Sequence, residues 1–179
     1  MEFSTNYADR TREIISLFKA TFTASEGAEE GDLIGSLVDR MLAETDVEDI
    51  FVFSALEGDA FAGAAICTRV RYPQDTRTVF ILSPMAVVTA QQGKGIGQKL
   101  LTFSLNILRQ SGVDVALTYG DINFYSKVGF EQILETIAEP PLRLSYPEGW
   151  LGQSLTGKPL DLLQGPSTCV NALNDPAIW

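Results

Sequence analysis

A chain of 179 residues, 45% apolar and 20% charged, can bury roughly 70% of its unfolded surface, so it folds without a metal or disulfide staple. It has no histidine, which excludes Ser-His-Asp and Cys-His catalysis, an HExxH zinc site and any imidazole proton shuttle. Its 13 basic and 23 acidic residues leave a formal charge of −10, which disfavours nucleic-acid phosphate and supplies no polybasic membrane anchor.

Residues 2–6 predict a short first strand. From Asp9 to Thr23, Ile14, Ile15, Phe18 and Phe22 recur at spacings of three and four, which predicts an amphipathic helix. Glu26 to Asp32 is acidic and holds Gly27 and Gly31, so it reads as a loop. A second helix follows to about Glu44, with Leu33, Ile34, Leu37, Val38, Met41 and Leu42 on its apolar face. The period then changes. Ile50–Leu56 and Ala60–Val70 read as strands joined by the turn Glu57-Gly58-Asp59. After a turn at Tyr72–Asp75, Thr78–Val88 is apolar almost throughout and reads as a central strand. Pro84 interrupts it and, lacking an N–H, predicts a bulge or local splay.

Gln91–Lys94 is a tight loop, and Gly95–Gln110 is a helix with a wide apolar stripe, ended by Ser111-Gly112. Val113–Tyr119 reads as a strand. Asp121 can cap a short helix closing at Gly129, and Phe130–Ile137 reads as a further strand. Leu142–Tyr146 is a candidate last strand. Beyond it four prolines and several glycines break any period, so 147–179 reads as an irregular extension packed on the same domain through Trp150, Leu155, Leu160 and Trp179. The expected division is thus 1–146 and 147–179.

Cys67 and Cys169 are isolated and form no metal-spaced cluster, so they read as reduced thiols of a cytoplasmic protein. No signal peptide or membrane span is expected, and no metal site.

The strongest chemical signal is Gln92-Gly93-Lys94-Gly95-Ile96-Gly97-Gln98, between the buried strand and the long helix. Glycines let the backbone approach a ligand, and the free N–H groups of a first helical turn favour an anion. A Walker loop fails because Gly95, not Ser or Thr, follows Lys94. A dinucleotide loop fails because Gln98 or Leu100 stands at its third glycine. Gln92, Gly95 and Gly97 instead fit (Gln/Arg)-x-x-Gly-x-(Gly/Ala). Downstream, Phe124-Tyr125-Ser126-Lys127-Val128-Gly129-Phe130 fits aromatic-Tyr-x-(Lys/Arg)-x-Gly-Phe.

Together these motifs resemble the GNAT superfamily of acyl-CoA-dependent N-acyltransferases, over roughly residues 2–140. The looser tail Pro-Leu-Arg-Leu-Ser-Tyr-Pro resembles an extension in some bacterial predicted acetyltransferases of that family. The resemblance implies an α/β fold with a splayed, mostly antiparallel central sheet flanked by helices. It implies acetyl-CoA as cosubstrate, its pyrophosphate on Gln92–Gln98 and its pantetheine along the backbone of Met85, Ala86 and Val87, beside Phe124. A backbone N–H there would stabilise the oxyanion of the reacting thioester. It implies Tyr125 as general acid, since a tyrosine of pKa about 10 is protonated at neutral pH.

The expected reaction is direct acetyl transfer to the amine of a small molecule or peptide. The base is left open among Glu57, Asp59, Asp75, Asp114, Asp121 and a water path. Asp121 also reads as a helix cap. The acidic segment Glu26, Glu29, Glu30 and Asp32 reads as a solvated loop, with attraction of a cationic amine as its functional alternative. The competing reading of the chain is an acyl-CoA-binding module without catalysis. A homodimer is one open assembly.

Overall fold

The computed structural model describes all 179 residues. Seven strands form one sheet in the order β1-β2-β3-β4-β5-β7-β6. They are β1 (Glu2–Ser4), β2 (Ile50–Glu57), β3 (Ala60–Val70), β4 (Val79–Val87), β5 (Val115–Tyr119), β6 (Glu131–Gln132) and β7 (Trp150–Ser154). The helices are α1 (Thr11–Glu26), α2 (Ala28–Glu44), α3 (Ile96–Gln110) and the single turn α4 (Ile122–Tyr125). β4 and β5 pair in parallel, whereas the β1–β2, β5–β7 and β6–β7 pairs are antiparallel. No helix is long and apolar enough to cross a membrane. The chain divides into two compact units, Met1–Cys67 with Pro84–Ser104, and Thr68–Ser83 with Leu105–Trp179.

In the first unit α1 and α2 form an antiparallel hairpin. Ile14, Leu17 and Phe18 of α1 and Ile34, Leu37, Val38 and Met41 of α2 are buried, as the three-four spacing dictates. The segment Glu26–Asp32 is not the expected loop. Only Gly27 separates the helices, and Glu29 and Glu30 occupy the first turn of α2, where carboxylates favour the positive end of the helix. Gly31 is a packing residue: a Cβ there would lie 1.9 Å from Thr23 Oγ1 and 2.8 Å from the Lys19 carbonyl oxygen. β1 pairs with β2 from Glu2↔Leu56 to Ser4↔Ser54. Phe103 of α3 stacks on Phe3 at 5.5 Å and meets Phe53 edge-on at 6.1 Å, so the apolar stripe of α3 covers these strands.

In the second unit β4 and β5 pair only over Val79–Leu82 and Val115–Thr118. The Thr118 hydroxyl closes this stretch by donating to the Leu82 carbonyl at 2.8 Å, and β4 runs on through Pro84 to Val87. β7, which the sequence reading did not resolve within 147–179, pairs with β5 from Val115↔Ser154 to Tyr119↔Trp150 and carries β6 on its other edge. The remainder of 147–179 has only short 3-10 turns. The expected strand Phe130–Ile137 shrinks to Glu131–Gln132, because after one more bond to β7, from the Ile133 N–H to the Trp150 carbonyl, the chain turns over Leu134–Ala138. Leu142–Tyr146 is not a strand. Leu144 is buried, while the Ser145 N–H and hydroxyl both donate to the Trp179 carbonyl.

Residues 155–179 are tied down by specific bonds. Asp75, its side chain 5% exposed, receives three bonds from Arg77 and one from the Gln164 N–H. Arg77 also pairs with Asp161 and donates to the Leu162 carbonyl at 2.6 Å. Arg71 and Thr168 exchange backbone bonds of 2.8 and 2.9 Å. The Trp150 indole donates to Ala138 O and the Trp179 indole to Leu173 O, so both buried rings keep their polar edges satisfied.

Candidate active site

The candidate residues fall in two sets, one in each unit. In the first unit the chain leaves β4 at Met85-Ala86-Val87, of which Ala86 is buried. Gly63 of β3 lies hard against this stretch, since a Cβ on it would meet the Ala86 carbonyl at 2.9 Å. The Val88 N–H donates to Ala62 O at 2.9 Å and the Gln91 N–H to Val88 O at 2.7 Å, folding the chain into one 3-10 turn. The Gln92 amide then reaches back to Val87 O at 3.0 Å, so Gln92 fixes the loop onto the strand end.

Gly93 and Gly95 both have φ of +74°, in the left-handed region where a side chain is strained, although a Cβ on either would meet nothing within 4 Å. Their backbone conformation, not crowding, calls for glycine. The first bond of the α3 ladder runs from the Lys99 N–H to Gly95 O at 3.2 Å. The N–H groups of Ile96, Gly97 and Gln98 therefore precede the ladder, at the positive end of a 15-residue helix. Gln92 to Gly95 are exposed. A pyrophosphate suits this row of donors.

A chain of side-chain bonds that no sequence motif announces ties the loop to a distant turn. Lys94 Nζ donates to Gln91 Oε1 at 2.9 Å, and Gln91 Nε2 donates to Glu57 Oε2 at 2.8 Å. Glu57 sits at the β2–β3 turn, 34 residues away in sequence, so no local pattern announces this contact.

In the second unit Asp121 caps α4, its Oδ1 accepting from the N–H and the side-chain amide of Asn123, both at 2.9 Å. Tyr125 follows on this turn, its N–H bonded to Asp121 O at 3.1 Å. Its ring is half-buried and meets Phe124 and Phe130 edge-on at 5.1 and 5.7 Å. Gly120 lies along the Cδ2–Cε2 edge of this ring, where a Cβ would come within 2.8 Å of Tyr125 Cε2 and 3.5 Å of Cδ2. The motif thus brings Phe124, Tyr125 and Phe130 into one aromatic group.

A pocket of about 390 Å³ opens beside this turn, lined by Tyr119, Gly120, Asp121, Ile122, Tyr146, Glu148 and Gly149. Of these, only Asp121 is expected near the chemistry from the sequence.

The expected base candidates mostly carry structural bonds. Glu57 accepts from Gln91, Asp75 from Arg77 and Gln164, Asp114 from the Thr78 N–H at 2.7 Å, and Asp121 from Asn123. Cys67 and Cys169 are free thiols. Cys67 is fully buried, and burial pushes its thiol far above the ordinary range, which leaves it inert as a nucleophile.

Residues 46–132 match the acetyltransferase (GNAT) domain. The chain is 29% identical over 140 residues to the uncharacterized N-acetyltransferase YjhQ of Escherichia coli strain K12, covering 75% of each protein. Its fold resembles a GNAT family acetyltransferase from Brucella melitensis solved with acetyl-CoA, with a TM-score of 0.74, 22% identity and 97% of each chain covered. It also resembles the GNAT family N-acetyltransferase YhbS from Escherichia coli solved with CoA, with a TM-score of 0.79 and 19% identity over 97% of this chain and 92% of that one. The matched segment, the parallel β4–β5 pair and the glycine loop that opens α3 agree in one respect: the chain has the fold of these GNAT structures, and its residues 46–132 are similar to the GNAT acetyltransferase domain.

Proposed function

We propose that the protein transfers the acetyl group of acetyl-CoA directly to a primary amine, with Tyr125 as the general acid. The observation that carries the reading is the loop Gln92–Gln98. It presents consecutive unladdered N–H groups and two left-handed glycines at the start of α3, in a chain that matches the GNAT domain. These N–H groups take the pyrophosphate, and the Gln92 bond to Val87 O sets the loop on its strand. The backbone of Met85, Ala86 and Val87 lines the pantetheine arm, with Phe124 contributing an apolar face.

The bound cosubstrate supplies an activated thioester carbon. A lysine-like amine of pKa about 10.4 is neutral in only about one molecule in a few thousand at pH 7, so loss of its proton precedes attack. Glu57, Asp75, Asp114 and Asp121 are held in structural bonds and Asp59 is exposed in the β2–β3 turn, so a water path carries that proton to solvent. As the C–N bond forms and the C–S bond breaks, the Tyr125 hydroxyl hands its proton to the sulfur, and the proton shed by the acylated nitrogen passes through water to restore the phenol. A phenol suits this role because an ordinary tyrosine is protonated at neutral pH, and the aromatic contacts with Phe124 and Phe130 hold the Tyr125 ring.

The test is thiol release from acetyl-CoA by purified protein across a panel of amines. Amine-dependent release with a matching acetylated product is expected. Tight CoA binding with no amine-dependent release across the panel would instead establish a binding module.

A further inference from the structure

We propose that the acceptor is a small primary amine carried on a compact apolar body, held in the second-unit pocket bounded by Tyr119, Gly120, Asp121, Ile122, Tyr146 and Glu148. This rests on the acetyl-transfer reading above and narrows its substrate.

Position comes first. Gly120 is both a wall of this pocket and the residue packed against the Cδ2–Cε2 edge of Tyr125. With Asp121 and Ile122 also in its wall, the pocket lies beside the turn that carries Tyr125, which is not itself a lining residue.

Size and polarity come next. At about 390 Å³ the pocket lies at the small end of ligand sites. Its faces are the rings of Tyr119 and Tyr146 and the side chain of Ile122. Two polar groups of the wall are already paired. The Tyr119 hydroxyl accepts from the Tyr146 N–H at 2.7 Å, and the Gly120 N–H donates to Gly149 O at 2.9 Å. Trp179 stacks on Tyr119 at 6.4 Å from behind, which fixes that wall. A polyhydroxylated aminosugar has more hydroxyls than this wall has free partners and would lose hydration at the rest.

Charge separates the remaining classes. No lysine or arginine lines the pocket, so a free amino acid finds no counter-ion for its carboxylate. Of the two lining carboxylates, Asp121 is committed to capping α4. Glu148 is exposed in the turn Pro147–Gly149 and is the available anchor for an ammonium group before it is deprotonated. A monoamine with an aryl or branched alkyl body matches both features.

The experiment measures kcat/KM at saturating acetyl-CoA for phenethylamine, isopentylamine, glucosamine, free lysine and a lysine-containing peptide. The two apolar amines are expected to exceed the other three by about tenfold or more. Tyr146→Ala and Glu148→Gln, both at exposed positions, are expected to raise the KM of phenethylamine about fivefold or more while leaving the KM of acetyl-CoA unchanged. Preference for glucosamine, lysine or the peptide, or an unchanged phenethylamine KM in both variants, overturns the proposal. Calorimetric titration of phenethylamine into the CoA-bound protein separates the two levels. Binding that is lost in Tyr146→Ala but gives no turnover contradicts acetyl transfer and upholds the pocket, whereas absence of binding overturns the pocket.

Discussion

Gly120 and Tyr125 are fitted to one another: a Cβ on Gly120 would stand 2.8 Å from Tyr125 Cε2, inside the closest approach real side chains make. The tyrosine ring has little room to retreat, because Phe124 and Phe130 meet it edge-on at 5.1 and 5.7 Å. Gly120→Ala therefore shifts the donor rather than the fold. We expect kcat to fall by about tenfold to a hundredfold with the KM of acetyl-CoA unchanged, since small misplacements of a reacting group carry costs of this order. Steady-state kinetics at saturating amine check it.

Gly93 and Gly95 make a complementary case, in which space is free and the backbone is not. Gly93→Ala and Gly95→Ala each force a Cβ into the left-handed region at about 1–2 kcal/mol. Relief of that strain rotates the loop N–H groups away from their common target. A raised KM for acetyl-CoA with a lowered melting temperature is the expected pair of effects, read by kinetics and by thermal unfolding.

The Asp75–Arg77 pair predicts a defined acid response. The Arg77 guanidinium, assisted by the Arg77 and Gln164 N–H groups, holds the Asp75 carboxyl well below the usual carboxylate range. A depressed folded-state pKa contributes stability that is complete above the unfolded value of about 3.9 and lost as pH falls toward the folded value. Asp75→Asn should thus flatten the loss of stability below about pH 4 and lower stability at pH 7 by about 2 kcal/mol, the order of a hydrogen-bonded charge. Residues 161–164 hang on this pair, so limited proteolysis there should quicken in the variant. Denaturant unfolding from pH 3 to 7 measures the first effect.

Gly31 tests the α1–α2 hairpin. The Lys19 carbonyl, 2.8 Å from an added Cβ, is backbone and cannot swing aside. Gly31→Ala should separate the helices and cost about 1–3 kcal/mol, seen as a lower denaturant midpoint at unchanged slope.

This glycine also shows where sequence and structure part. Gly27 and Gly31 together resemble loop punctuation, yet only Gly27 breaks the chain, and Gly31 is there because Thr23 and Lys19 lie against it. A packing glycine and a turn glycine are identical in one dimension. β7 escaped notice for a related reason. Trp150-Leu151-Gly152-Gln153-Ser154 has no β-branched residue and lies between Pro147-Glu148-Gly149 and a Gly-Lys-Pro stretch, but pairing with β5 and β6 on both sides overrides its weak propensity. The helices, the hairpin, the central strand and the glycine loop were legible because each carries its own period or turn chemistry. The pocket was not, because Tyr119, Ile122, Tyr146 and Glu148 meet only after β7 enters the sheet and brings the turn before it beside the end of β5.

The central claim is that Tyr125 delivers the proton to the departing thiol. Its most direct test is the kcat of Tyr125→Phe for amine-dependent thiol release, followed from pH 6 to pH 9 beside the native protein. The ring contacts with Phe124 and Phe130 do not involve the hydroxyl, so the variant should fold and keep its KM for acetyl-CoA. The account predicts a fall in kcat of about a hundredfold or more. An undiminished kcat across that range would contradict it.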